Sequence, residues 1–131
     1  MTTCEVNPVV GLDGCGARAV DTDRVAATRE HLVEWDEAQA LAETFKLLGD
    51  PKRIRILYAL LEAGELCVCD LAATAEVTET TVSHAMRLFR TAGIVRNRRE
   101  GRMIYYRLDD AHMRILLDLS RQHLAQCESD R

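Results

Sequence analysis

Apolar residues along the chain recur mostly at helical spacing. In "EAQALAETFKLL", residues 37–48, Ala38, Leu41, Ala42, Phe45 and Leu48 share one face of a helix. "GDPKRIRILYALLEAG" predicts a second helix: Asp50 caps it, Pro51 suits its first position and Gly64 ends it. Ile54, Leu57, Leu60 and Leu61 supply its apolar face. A short helix follows around 69–75, then a tight break at Glu76-Val77, then a longer helix from 79 to about 91 capped by Thr78. The pattern next changes to strands. "IVRNRR" (94–99) and "RMIYYRL" (102–108) read as a hairpin turning at Glu100-Gly101. Residues 110–126 predict a last helix with Ile115, Leu116 and Leu119 as its apolar positions. Residues 1–30 show little periodicity and read as a flexible arm. The expected organisation is an arm over 1–36 and one mainly α domain over 37–127 that carries a small β-hairpin.

On the helix from 79 to 91, Val82, Met86 and Phe89 fall together and face inward. Steps of ~100° per residue put Thr80, Ser83, His84 and Arg87 on the opposite side. A short helix, a tight turn and a longer helix with a polar, cationic outer face form the helix-turn-helix pattern, and the hairpin after it reads as a wing.

Charge sharpens that picture. The whole chain carries a formal net charge of −4, which by itself argues against nucleic acid. The average hides an asymmetry. Residues 1–50 hold ten acidic and four basic side chains, whereas 84–107 hold seven arginines against Glu100 alone. A cationic block of that density suits a phosphate backbone. Arg98, Arg99 and Arg102 of the wing are placed to reach phosphates, and Thr80, Ser83, His84 and Arg87 to approach base edges. The opposing reading is an ordinary helical unit whose arginines are only solvated.

No apolar run approaches a membrane span; the longest, "ILYALL" at 56–61, suits a buried helix. The N-terminus lacks the basic start and apolar stretch of a secretion signal, so the expected location is the cytoplasm, where thiols stay reduced. Five cysteines there point to metal or redox chemistry. Cys67 and Cys69 in "GELCVCDLA" stand two positions apart, about 200° around a regular helix, so they converge only at a helix entrance. Two thiolates make half of a four-ligand site for a soft ion. Cys4 and Cys15 on the arm can complete it; the bland alternative is two buried structural cysteines.

A second candidate lies on the last helix. His112 and His123 are eleven residues apart, which returns them to within about 20° of one face but separates them by about 16 Å. One helix cannot bring both to an ion; an antiparallel copy across a dimer can. Asp110 can add an oxygen, while Gln126, at the position for a fourth donor, is a poor zinc ligand.

Residues 38–126 resemble the ArsR/SmtB family of winged-helix metal-sensing repressors. The matching stretches are "LGDPKRIRIL", "ELCVCDLA", "TTVSHAMRLFRTAGIV", "REGRMIYYRL" and "DDAHMRILLDLSRQHLAQ". "ELCVCDLA" is the most specific and is similar to the metal motif of the family's cadmium- and lead-responsive branch. The resemblance implies a homodimer that holds operator double-stranded DNA when metal-free. Cadmium, lead or zinc would bind Cys67 and Cys69 with Cys4 as the third ligand and Cys15 as a further one, releasing the DNA. It also implies an interfacial site at Asp110, His112 and His123, where Gln126 replaces the family's Glu. No enzymatic activity, small-molecule substrate or membrane partner is expected. A competing reading keeps the fold and makes the cysteines a thiol redox switch; a disulfide between neighbours so close in sequence would be strained.

Overall fold

The computed structural model describes residues 14–17 and 19–130. Its helices are α1 (Thr22–His31), α2 (Trp35–Leu48), α3 (Pro51–Ala63), α4 (Val68–Ala75), α5 (Glu79–Thr91) and α6 (Ala111–Ser129). Three short strands, β1 (Leu66–Cys67), β2 (Val95–Glu100) and β3 (Met103–Leu108), form one antiparallel sheet in the order β1-β3-β2. This is a winged helix-turn-helix.

Local chemistry sets the helix ends. The Asp50 carboxylate accepts the Arg53 N–H at 3.1 Å and Pro51 fills the first helical position of α3. Gly64 then ends α3 at φ 85°, a left-handed conformation open to glycine at no steric cost. Asp110 caps α6 by accepting the Met113 N–H at 3.0 Å. The core gathers Ile56, Leu57 and Leu60 of α3, Leu71 and Ala75 of α4, and Val82, Met86 and Phe89 of α5, with Val95, Tyr106 and Leu108 of the sheet closing it. Tyr58 of α3 reaches α6, where its hydroxyl donates to the Leu117 carbonyl at 2.6 Å.

The structure departs from the pattern reading in five places. Residues 22–31, expected to be irregular, form a helix capped by Asp21; it buries no residue, so no apolar periodicity announces it. The hairpin gains a third strand, Leu66–Cys67, too short to leave an alternation. Its turn falls at Gly101-Arg102 rather than Glu100-Gly101, because Glu100 still pairs with Met103. On α6 the buried residue is Leu117, flanked by half-buried Met113 and Leu116, whereas Ile115 and Leu119 point outward. Leu41 and Phe45 of α2 are likewise exposed on the single chain.

Candidate nucleic-acid interface and metal centre

Helices α4 and α5 are joined by a turn built on Glu76, which takes the left-handed conformation at φ 59°. Its geometry lets the Val77 N–H close back on the Ala72 carbonyl at 3.1 Å. Arg55 of α3 spans the turn, donating to the Ala75 carbonyl at 3.0 Å and the Glu76 carboxylate at 3.1 Å. Thr78 then opens α5, its hydroxyl accepting the Thr81 N–H at 3.0 Å. Val82, Ala85, Met86 and Phe89 bury one side of α5, and this fixes the rotation of the other. Thr80, Ser83, His84 and Arg87 all stand exposed on that free side. A helix is about 10–12 Å across and a B-DNA major groove about 12 Å wide, so this face can enter it.

The wing is less cationic in the fold than in the sequence. Arg98 is held by two carboxylates: the Glu65 oxygens accept from its Nε at 3.0 Å and its Nη2 at 2.6 Å, and Glu100 accepts from Nη1 at 2.8 Å. Its guanidinium also lies 4.5 Å from the centre of the Tyr105 ring. Arg98 in turn holds the Glu65 carboxyl below the usual carboxylate range. Arg96 pairs with Asp109 at 2.6 Å. Arg99 donates to the Gly101 carbonyl at 3.1 Å, and Arg102 is exposed at the turn. Sequence counting missed Glu65 because it lies 33 residues from Arg98, and Asp109 because it falls just past the basic stretch.

Cys67 and Cys69 sit at the entrance of α4, where the backbone changes from strand to helix. Cys67 is buried and is the N-cap itself: its sulfur accepts the Asp70 N–H at 3.5 Å. Cys69 is exposed, with a free thiol. A helix entrance favours the thiolate, yet the Cys69 pKa is raised, first because its thiol donates to Glu79 and then by the charge of that carboxylate. Glu79 is the first residue of α5, so the charge that raises the Cys69 pKa belongs to the second helix of the helix-turn-helix. Among the described residues no three His, Cys, Asp or Glu side chains converge as a metal group. Cys15 is exposed and has a free thiol, and Cys4 lies outside the described residues. A four-ligand site for a soft ion at these two cysteines would need donors from outside this group.

The helix α6 candidates separate as their spacing requires. The Asp110 carboxylate lies 3.7 Å from His112 Nδ1, and its pKa is lowered first by the Met113 N–H and then by His112. His123 stands three turns away, its Nε2 3.7 Å from Cys127 Sγ. Gln126 donates its amide to Asp130 at 3.2 Å. Within one chain the two histidines do not meet.

Residues 50–97 match the family model for bacterial regulatory proteins of the arsR family. Over 114 residues the chain is 40% identical to a transcriptional repressor SmtB homolog of Synechocystis, covering 87% of this chain and 86% of that protein. This chain belongs to the ArsR family. A cadmium resistance transcriptional regulatory protein, a CadC homolog of Staphylococcus aureus, is 36% identical over 89% of this chain and 96% of its own length. The crystal structure of AntR, an antimony-specific transcriptional repressor, superposes with a TM-score of 0.68 at 33% identity, covering 75% of this chain and 88% of that one. As an ArsR-family member the chain is a DNA-binding transcriptional regulator and not an enzyme. The family match spans α3 to the first half of β2, which includes both cysteines and the whole of α5. Among the described residues no helix is long and apolar enough to cross a membrane.

Proposed function

We propose that the protein is a homodimeric metal-responsive repressor. Free of metal it holds operator DNA through α5 and the wing. Binding of cadmium, lead or zinc releases the DNA and allows transcription of metal efflux or detoxification genes. The observation that carries this reading is the position of the cysteine pair: Cys67 caps the first helix of the helix-turn-helix, and Cys69 stands exposed in the first turn of that same helix. The names of the cadmium-resistance and antimony-specific relatives support a metal effector, and thiol donors support a soft one.

Cys67 and Cys69 would hold the ion, with Cys4 and Cys15 as the remaining donors. A soft divalent ion supplies the charge that favours deprotonated sulfur. Cys69 must then release its proton against the charge of Glu79, and Cys67 must redirect the sulfur that caps α4. Both changes fall on backbone that fixes the tilt of α5. A ten- to hundred-fold loss of operator affinity needs only about 1.4–2.7 kcal/mol of coupling. Asp110 and His112 of one protomer, with His123 of its partner, form a second candidate site of the same dimer.

Fluorescence anisotropy of a labelled operator duplex, with reduced protein and added cadmium or zinc, tests the reading. Metal should release the duplex from the unaltered protein and from His123→Ala, but not from Cys67→Ser. Release abolished by His123→Ala instead would move the sensor to α6. Release by peroxide without metal, and not by metal, would favour the thiol redox switch.

A further inference from the structure

The row of residues that crosses the sheet at Tyr105 joins the cysteine segment to the wing. Cys67 of β1 pairs with Tyr105 of β3, and Tyr105 pairs on its other side with Arg98 of β2. Residues directly opposite one another share a face, so Cys67, Tyr105 and Arg98 belong to one face of the sheet, and Glu65, just ahead of β1, comes to that face through its contact with Arg98. Glu65 reaches across Tyr105 and fills the fork of the Arg98 guanidinium with both of its oxygens. The same fork is what a phosphate would occupy, since two oxygens at this spacing are the shared feature of carboxylate and phosphate partners of arginine. Glu100 takes the remaining Nη1, so no terminal nitrogen of Arg98 is without an acidic partner.

We propose that Glu65 is an internal competitor for DNA at the wing, holding Arg98 in a phosphate-like embrace that the duplex must displace before Arg98 can contribute to binding. The proposal rests on the DNA-binding reading above. It also places the competitor two residues before Cys67, just ahead of the short strand β1, so a shift of the cysteine segment changes how firmly Arg98 is held. The alternative is a brace: the pair shapes the wing, and Arg98 never exchanges partners.

The two differ in sign. Titration of the full-length reduced protein with a labelled mixed-sequence duplex over a range of salt reads affinity and counterion release without knowledge of the operator. Glu65→Gln should bind about 3- to 8-fold tighter at ~0.1 M salt, with a slope of log K against log salt steeper by about one. That gain should vanish in Glu65→Gln/Arg98→Gln, which separates the competitor from a general loss of negative charge near DNA. Arg98→Lys keeps the charge but cannot be held by a two-oxygen fork, so it should shift in the same direction as Glu65→Gln. A weaker Glu65→Gln complex, or a gain that survives removal of Arg98, overturns the proposal while leaving DNA binding in place. If the unaltered protein binds no duplex, the DNA-binding reading fails and the competitor fails with it.

Discussion

The sulfur of Cys67 serves the fold before it serves any ligand, because it accepts the N–H that opens α4. Serine is a stronger helix cap than cysteine, and its hydroxyl can take the same bond. Cys67→Ser should therefore hold stability to within about 1 kcal/mol in a urea melt, a margin set by the worth of such caps. Cadmium added to that variant should give a weaker sulfur-to-metal absorbance band than with the unaltered protein. An unchanged band would remove Cys67 from the ligand set. Cys69 is exposed and caps nothing, so Cys69→Ser should leave the melt unchanged and weaken the band equally. The place of this pair at a helix entrance was legible in the sequence, since Gly64 ends one helix and the next begins close after it. The Glu79 partner was not. It stands ten residues from Cys69, and only the turn at Glu76 brings it back.

At the scale of elements, the helix-turn-helix was readable because its signals are local. Asp50, Gly64 and Thr78 each mark a helix end through their own backbone or side chain, and Val82, Met86 and Phe89 set the buried face of α5. What escaped was either too short or too distant. β1 has two residues, and α1 buries nothing. The pairing of Arg98 with Glu65 depends on the sheet bringing together residues far apart in the chain, so a count over 84–107 overstates the open positive charge of the wing. Thr78 gives this level a direct test. Thr78→Ala leaves the Thr81 N–H without its acceptor and should cost about 1 kcal/mol in a denaturant melt, whereas Thr78→Ser should recover most of it. The same alanine variant should weaken duplex binding, because the first turn of α5 presents Thr80 and Ser83. Equal melts for the two variants would mean that tertiary packing alone holds the start of α5.

The whole molecule leaves apolar surface that one chain cannot cover. Ile115 and Leu119 on α6 are 54% and 57% exposed, and Phe45 on α2 is 58% exposed. Sequence periodicity marked all three as apolar-face residues, and on the single chain all three are exposed. Steps of ~100° per residue place Ile115 and Leu119 in one stripe between His112 and His123. An antiparallel second copy packed on that stripe would cover both apolar residues and set His112 of one protomer near His123 of its partner. The apolar residues and the histidines thus call for the same dyad, although they are different kinds of chemistry. Leu119→Glu puts a carboxylate at its centre and repeats it across the symmetry axis, so like charges face one another. Sedimentation should then find a monomer for the variant and a dimer for the unaltered protein. The core should be retained, because Leu117 and the Tyr58 bond to its carbonyl lie on the inner side of α6. Two half-sites can no longer be held at once, so affinity for a palindromic duplex should fall much more than for a single half-site. A Leu119→Glu protein that still sediments as a dimer would place the interface elsewhere and leave His112 and His123 without a common ion.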